Sequence, residues 1–327
     1  MGPFVHTIDP VIATVGGVHL WWYGASYALG FLNAHLFVRR HRAELGLSLR
    51  EVYDLTLFLA VGVLAGGRAL VVVVNEWPFY SRHLELIPAL WIGGLATHGL
   101  LIGGFAGVAL FCALYRNPFR PLFDVLAIAA AVIMGCGRIG NFIDGQIVGS
   151  VTDVPWGVRF PYADGYRHPV VLYDGLKNFI LVPLLLWVRG RGAPPGRVAT
   201  LFVLLYAGLR IPIDFLREYP LNPFGLPTGQ TMNVLMTAVG AGLLLRSIRR
   251  AGASGSLSDR PEALASGLAS ELVSRGTPGG LRGRQFALAA LMLAVLVIPS
   301  DATRDVPKDY SPRHPGIVRS PLYPSLE

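Results

Sequence analysis

The chain has 327 residues, of which 53% are hydrophobic and only 15% are charged. A soluble domain usually carries about a quarter charged residues, so this composition argues against one large cytosolic domain and against a disordered chain. The formal net charge is +8, and most cations are arginines that stand between long apolar runs. That placement favours contact with a membrane surface and argues against nucleic acid as a partner.

Seven apolar runs are long enough to cross a membrane, since a spanning helix needs about 20 mostly apolar residues. We therefore predict an all-α fold, a polytopic membrane bundle of seven spans. The predicted spans are residues 18–38, 52–75, 86–114, 122–142, 170–188, 198–216 and 230–245. An eighth run, 286–299, is short for a span and could form a thin helix, a re-entrant segment or a surface helix.

Arginines near the ends of the runs alternate between crowded and sparse loops. The crowded loops are the first, the third, the fifth and the segment after the seventh run, with Arg39, Arg40, Arg42, Arg50, Arg116, Arg120, Arg189, Arg191, Arg197, Arg246, Arg249 and Arg250. By the positive-inside rule these loops are cytoplasmic. The N-terminus is therefore predicted to be periplasmic.

Composition divides the chain into three parts. Residues 1–246 are predicted to form the transmembrane bundle that carries the candidate site. Residues 247–285 are rich in Gly, Ser, Ala and Pro and are predicted to be a flexible cytoplasmic linker with one short helix at 261–275. Residues 286–327 comprise the short apolar segment and a polar tail. Within the bundle, glycines at 62, 66, 99, 103 and 107 are spaced for close helix packing.

The sixth run carries the clearest cluster of polar residues inside a predicted span. Inserting an ionisable residue there costs about 2.5–3.5 kcal/mol on insertion scales, so each such residue is expected to have a structural or functional role. The spacing of the four residues places them on one helical face: Tyr206, Arg210, Asp214 and Arg217. A purely structural Arg210–Asp214 pair, one turn apart, is the alternative.

Other runs also contain polar residues at similar depth. Arg138 in the fourth run is flanked by glycines, which leave space for a ligand, and Asn141 follows three residues later. His98 lies near the middle of the third run, and Arg68 lies in the second. The alternative for Arg138 is an arginine that only contacts lipid headgroups at the membrane interface. The alternative for His98 is a core histidine whose hydrogen bonds are made within the protein.

Six polar residues on four runs are predicted to lie between the midplane and the outer face of the membrane. They are Tyr23, His98, Arg138, Asn141, Tyr206 and Arg210. Polar groups from several helices at one depth are typical of a site inside a bundle. The two arginines favour an anionic ligand, because guanidinium groups match phosphate oxygens. An anion that enters from the outer leaflet would be a phospholipid headgroup.

At these residues the sequence resembles bacterial prolipoprotein diacylglyceryl transferases, over about residues 12–245. The resemblance is carried by six motifs in chain order: Trp22-Tyr23-Gly24, Gly66-Gly67-Arg68, His98-Gly99, Gly-Arg-Ile-Gly-Asn-Phe at 137–142 with its continuation to Gly149, Arg167-His168-Pro169, and Tyr206 with Arg210. Any one of these motifs would be a weak signal, whereas six in order are a strong one.

The resemblance implies an enzyme of the bacterial inner membrane. Its partners would be phosphatidylglycerol and the lipobox of a prolipoprotein signal peptide, whose cysteine thiol receives the diacylglyceryl group while glycerol phosphate leaves. The implied catalytic residues are Tyr23, His98, Arg138, Tyr206 and Arg210, with His98 assisting proton transfer and the two arginines holding phosphate. The implied substrate-binding residues are Arg68, Asn141, Asp144, Gln146, Gly149, His168, Asp214 and Arg217. No metal or other cofactor is expected.

The chain departs from the family's usual residues at six positions. These are Asp144 for Asn, Gln146 for Glu, Val170 and Val171 for Ser-Gln, and Asp174 and Asp214 for Glu. Gln146 matters most, because an amide can neither act as a carboxylate base nor pair ionically with an arginine. Asp144 could supply the lost charge. Two alternatives stay open: an altered or silent paralogue that binds phospholipid, and a membrane transporter of small anions.

Overall fold

The structure is a computed structural model that describes residues 4–145, 147–161, 163–218, 228–253, 280–300 and 323, and these are mostly helical. In the described ranges the helices are α1 (Trp22–Arg40), α2 (Leu49–Leu70), α3 (Trp77–Tyr80), α4 (Thr97–Tyr115), α5 (Phe119–Asp144), α6 (Val170–Gly190), α7 (Arg197–Asp214), α8 (Thr228–Ala253) and α9 (Leu281–Val295).

Among the described residues, five helical segments are long and apolar enough to cross a membrane. They are Leu49–Asn75, Thr97–Tyr115, Phe119–Asp144, Val170–Gly190 and Gly229–Arg249. Helices α1 and α7 coincide with the first and sixth predicted runs. The 18 residues of α7 include three charged side chains, Arg197, Arg210 and Asp214.

The predicted first span is wrong at its beginning, and the fold is not purely helical. Val18–Trp21 forms strand β3, which pairs antiparallel with β2 (Val11–Val15). Gly16 and Gly17 connect the two strands with φ of 58° and 82°. Two consecutive residues with positive φ suit the tight turn of a hairpin, and glycine adopts them without steric cost. The remaining strands of the described ranges, β1 (Phe4–Val5) and β4 (Val158–Arg159), form a parallel pair.

The predicted third span is also too long, because the helix begins at Thr97 and not at residue 86. The preceding residues form only two 3₁₀ turns, Leu84–Leu86 and Leu90–Ile92. Gly93 and Gly94 follow with φ of 81° and 82°, a conformation that an α-helix cannot accommodate. The apolar character of this stretch therefore reflects burial in a folded loop, which hydropathy alone does not distinguish from a helix.

The glycine spacing predicts close packing of α2 and α4, and the structure confirms it. A Cβ added at Gly62 would lie 2.4 Å from the Gly103 carbonyl oxygen, and one added at Gly66 would lie 2.4 Å from the Gly99 oxygen. Larger residues would force the two backbones apart. Small residues of this kind let membrane helices approach and gain dispersion contacts along their length.

Helix α5 lies at the centre of the bundle and positions the site. It packs against α1 on one side and against α6 and α7 on the other. Close approach to α1 depends on Gly140, where an added Cβ would lie 2.9 Å from the Tyr23 Cα. At the arginine-rich end, the Asp124 carboxylate of α5 accepts the backbone N–H groups of Gly196 and Ala199 at 2.7 and 2.8 Å. Asp124 thus caps the first turn of α7.

The predicted linker is helical at both ends of its range. Helix α8 continues to Ala253, and α9 already begins at Leu281, so residues 247–253 and 281–285 are helical. The predicted short helix at 261–275 lies outside the described residues, as does the polar tail apart from Tyr323. The eighth apolar run forms α9, which packs against α1 and α2.

Candidate active site

Arg138 of α5 and Arg210 of α7 converge on one carboxylate, that of Asp174 in α6. Arg138 Nε lies 2.6 Å and Arg210 Nη1 lies 3.3 Å from the same oxygen, Asp174 Oδ2. All three residues are at most 5% exposed. The two arginines that the sequence assigned to one site are therefore neighbours across three helices, and they do not point out into the lipid.

Lys177 extends this cluster one turn along α6. Its Nζ lies 2.6 Å from Asp174 Oδ1 and donates a hydrogen bond of 3.1 Å to the Tyr206 carbonyl oxygen. The same ammonium lies 4.1 Å from the centroid of the Tyr206 ring. The Tyr206 hydroxyl in turn accepts a 3.1 Å hydrogen bond from Arg210 Nη1. Tyr206 is therefore fixed from both ends by cations.

A second carboxylate, Asp214, continues the network from α7 to α8. Asp214 Oδ2 lies 3.4 Å from Arg210 Nε and accepts a 2.7 Å hydrogen bond from Asn233 Nδ2. Arg217 Nη1 lies 3.5 Å from Asp214 Oδ1. The Arg210–Asp214 pair expected as a structural alternative is thus present, and it is also connected to Asp174 and Arg138.

Among the described residues, the ion pairs that connect to Asp174 and Asp214 contain more cations than carboxylates. Four cations, Arg138, Lys177, Arg210 and Arg217, share the two carboxylates Asp174 and Asp214. Excess positive charge inside a bundle is unfavourable unless an anion compensates it. The network is therefore suited to hold an anionic group, and guanidinium forks are suited to phosphate.

A small cavity of about 60 Å³ opens beside this network, on the α1 side of Arg138. The polar residues that line it are Tyr23, Tyr27, Thr97, Arg138, Asn141 and Ser300. Arg138 Nη1 donates a 3.0 Å hydrogen bond to Asn141 Oδ1, and Nη2 lies 3.5 Å from Thr97 Oγ1. The Arg138 side chain thus spans from the ion-pair network to the cavity wall.

His98 lies next to the Asp214 part of the network. An added Cβ at Gly229 of α8 would lie 3.9 Å from His98 Cε1 and 3.7 Å from Asp214 Oδ2. Its Nε2 is buried and makes no hydrogen bond to any residue in the described ranges. The Asn233 amide and the Arg210 guanidinium lie beside the ring, so His98 is positioned next to the ion-pair network.

Arg68 occupies a different place from the two phosphate candidates. It is buried, and its guanidinium donates to the backbone carbonyls of Leu86, Ile87, Ala89, Gly93 and Gly94. It also lies 4.9 Å from the centroid of the Tyr80 ring. These contacts fold the loop before α4, so Arg68 positions the backbone that leads to Thr97 and His98.

The remaining predicted residues lie near the ends of α5 and α7 and the start of α6. Gly149 has no space for a side chain, because an added Cβ would lie 2.6 Å from the His168 carbonyl oxygen and 2.8 Å from that of Leu216. His168 Nδ1 lies 3.1 Å from the Tyr173 hydroxyl. Asp144 Oδ2 accepts a 3.0 Å hydrogen bond from the Ser300 N–H. Gln146 lies outside the described residues.

Several residues of the site were not among the sequence candidates. Asp174 was recognised only as a departure from a family residue, and Lys177, Asn233, Thr97, Tyr27 and Ser300 were not considered. For Asp174 and Lys177 the signal was available, since both are charged residues inside the fifth predicted span. Asn233 and Ser300 have no comparable local signal, because their importance comes from the neighbours they meet in the fold.

Comparison with known families identifies one match over most of the bundle. The family model described as prolipoprotein diacylglyceryl transferase matches residues 10–246. The match contains α1 to α7 and most of α8, and therefore the whole ion-pair network. It ends before α9.

Individual relatives agree with the family match. The chain is 38% identical over 226 residues to the phosphatidylglycerol–prolipoprotein diacylglyceryl transferase of Geobacter sulfurreducens, covering 68% of this chain and 86% of that protein. It is 34% identical over 252 residues to the Bordetella parapertussis protein of the same name, covering 74% and 96%. The Nitrosomonas europaea protein of that name is 35% identical over 254 residues, covering 74% and 90%.

Proposed function

This chain belongs to the prolipoprotein diacylglyceryl transferase family, and on that basis we propose that it transfers the diacylglyceryl group of phosphatidylglycerol to a prolipoprotein. The acceptor is the cysteine thiol of the signal-peptide lipobox. The observation that carries the proposal is the convergence of Arg138 and Arg210 on one buried point next to a cavity.

The membrane arrangement of the proposal follows from the arginine pattern. The seven predicted runs correspond to α1, α2 and α4 to α8, and the N-terminus is periplasmic in the bacterial inner membrane. The cavity then faces the periplasmic half of the bilayer, because it lies between the start of α1 and the end of α5. Both the lipid headgroup and the lipobox are available on that side.

The phosphate of phosphatidylglycerol binds at the side of Arg138 that faces the cavity. Nη1 and Nη2 each have one contact among the described residues, Asn141 and Thr97 respectively, so each keeps an N–H group for a phosphate oxygen. Arg210 contacts the same oxygen of Asp174 that Arg138 Nε contacts, so it helps to hold the Arg138 side chain in place. Tyr23, whose hydroxyl lies 3.2 Å from that of Tyr27, forms the opposite wall.

Transfer consists of one substitution at carbon. The thiolate sulfur attacks the glyceryl carbon that is bonded to the phosphate ester oxygen, the C–S bond forms, and the C–O bond breaks. The electron pair of that bond leaves with glycerol phosphate. Negative charge grows on the departing phosphate, and the fixed guanidinium groups stabilise it, which is worth about 3–4 kcal/mol for one such donor.

A direct experiment tests the function. Purified protein is mixed with phosphatidylglycerol and a lipobox peptide, and mass spectrometry follows the peptide. We expect a diacylglyceryl adduct on the cysteine and release of glycerol phosphate. A transporter of small anions would instead move a labelled anion into proteoliposomes and leave the peptide unchanged.

His98→Ala is expected to lower transfer by about 10²-fold at neutral pH, the lower end of the range for a lost general base. The residual rate should rise as the pH approaches the thiol pKa of about 8.5, because more thiolate then forms without assistance. The measurement is the pH dependence of the transfer rate. His83→Ala, in the outer loop, is the matched control and should behave like the unaltered protein. A loss for His98→Ala that is equal at every pH would assign the histidine a packing role.

Gln146→Glu distinguishes an active enzyme from a silent phospholipid-binding paralogue. If Asp144 already supplies the carboxylate, the substitution should change the transfer rate by less than about threefold, because a second carboxylate would then add little. The rate is measured with the lipobox peptide at saturating phosphatidylglycerol. A gain of about 10²-fold or more, the size of a restored general base, would mean that the natural protein is impaired at this position.

A further inference from the structure

Part of the chain beyond the family match reaches the cavity. Ser300, five residues beyond α9, is one of the residues that line it. Its backbone N–H is bonded to Asp144 Oδ2 at 3.0 Å. Its hydroxyl oxygen is buried and has no hydrogen-bond partner in the part of the chain that the structure describes. An unbonded hydroxyl therefore shares a cavity with Arg138.

The path of this segment is a groove formed by α1 and α2. Leu291, Met292, Val295 and Ile298 pack in one apolar cluster with residues of both helices. The Trp21 N–H donates a 2.9 Å hydrogen bond to the Leu296 carbonyl oxygen. An added Cβ at Gly24 would lie 2.2 Å from the Val295 oxygen, so this glycine allows the backbone to approach. The groove therefore contacts the apolar side chains and the backbone of the segment that lies in it. Many different peptide sequences could make such contacts.

The opposite end of the segment is anchored near the arginine-rich end of the bundle. Arg284 Nε lies 2.7 Å from Asp54 Oδ1 in the second turn of α2. The other carboxylate oxygen of Asp54 accepts a 2.9 Å hydrogen bond from the Tyr115 hydroxyl at the end of α4. The segment therefore begins at the end assigned to the cytoplasm and reaches the cavity at Ser300.

The order of residues in this segment is that of a secretory signal peptide. Basic residues Arg282 and Arg284 come first, an apolar run from 286 to 299 follows, and the small polar residue Ser300 comes directly after it. Signal peptides have a positively charged start, an apolar stretch of about 7–15 residues and small residues at the end. A prolipoprotein acceptor inserts in the same direction and presents its cysteine where this segment presents Ser300.

We propose that residues 281–300 are a built-in pseudosubstrate that occupies the acceptor groove between α1 and α2, with the Ser300 hydroxyl in the place of the acceptor thiol. This inference rests on the proposed function. Serine does not react there at a comparable rate, because its hydroxyl is a weaker nucleophile and stays almost fully protonated at neutral pH, whereas a thiol is already partly ionised. The segment must leave before an acceptor can bind, so it lowers the apparent affinity for acceptors.

Ser300→Cys in the full chain tests the position of the hydroxyl. With phosphatidylglycerol present, the introduced thiol should acquire one diacylglyceryl group: its sulfur bonds to the glyceryl carbon, glycerol phosphate leaves, and the thiol proton is released. Intact-mass measurement and peptide mapping locate the adduct. The matched control is Ser81→Cys, in an exposed outer loop, which should stay unmodified like Cys112 and Cys136.

The result separates failure of the inference from failure of the function. If the unaltered protein modifies a lipobox peptide but the thiol of Ser300→Cys remains unmodified, the pseudosubstrate proposal is wrong and the function stands. If the unaltered protein does not modify the peptide, the proposed function itself fails. Modification of the Ser300→Cys variant should also reduce its transfer to the peptide in proportion, since the groove is then permanently filled.

Arg284→Ala tests displacement without a new nucleophile. Loss of the contact with Asp54 should weaken the binding of residues 281–300 in the groove and so lower the KM for the lipobox peptide by about fivefold. The kcat and the KM for phosphatidylglycerol should stay unchanged. Arg282→Ala removes the same charge from an exposed position and should leave all three constants unaltered. A lower thermal stability of Arg284→Ala with an unchanged KM for the peptide would identify α9 as a permanent structural helix and overturn the proposal.

Discussion

Arg138→Ala should reduce diacylglyceryl transfer by about 10²–10³-fold, the usual effect of removing one donor that stabilises transition-state charge. Arg138 is the arginine that reaches both the cavity and Asp174. Its removal takes away the guanidinium that faces the lipid phosphate. The remaining Arg210 and Lys177 still compensate the Asp174 carboxylate, so the bundle should stay folded. The measurement is the rate of peptide modification at saturating phosphatidylglycerol.

Two further variants make the interpretation of Arg138→Ala specific. Arg138→Lys keeps the charge but loses the planar fork, and it should recover only a small part of the activity. Arg189→Ala removes an arginine that pairs with the exposed Glu44 at the other end of the bundle. Such a surface pair is worth about 0–1 kcal/mol, so this control should transfer at the normal rate. Near-normal transfer by Arg138→Ala would exclude this arginine from the mechanism.

Asp174→Asn should destabilise the protein by about 3–5 kcal/mol, because one buried partner of several ion pairs is lost. Asp174 is in contact with Arg138, Lys177 and Arg210, and the substitution leaves three neighbouring cations without this common anion. Their mutual repulsion should separate the two arginines and also abolish transfer. Thermal unfolding in detergent and the transfer assay are the two measurements.

Asp174→Glu is the matched control, because it keeps the carboxylate and is the residue that the family resemblance places here. It should retain both stability and transfer. If Asp174→Asn unfolded at the normal temperature, the carboxylate would not hold the network together. Excess phosphatidylglycerol should partly restore the stability of Asp174→Asn, since a phosphate bound at Arg138 adds negative charge next to the uncompensated cations.

The membrane bundle and much of the candidate site could be predicted from the sequence, because those signals are local. Apolar length predicted the helices, the glycine spacing predicted the packing of α2 on α4, and the cost of burying charge singled out Arg138 and Arg210. The same local reasoning failed at 18–21 and at 86–96. An apolar strand and an apolar loop have the hydropathy of a helix, although the Gly16-Gly17 pair was an available hairpin signal.

The sequence by itself determined that this chain is a helical membrane protein of the diacylglyceryl transferase family with buried arginines, because hydropathy and motif order are properties of the linear chain. Only the tertiary structure decided which groups meet. Arg138 and Arg210 share Asp174, Arg68 instead folds a loop, and Ser300 reaches the cavity from beyond the family match. Such pairings depend on how each helix is rotated and packed against its neighbours, and residues far apart in the chain carry no local record of that arrangement.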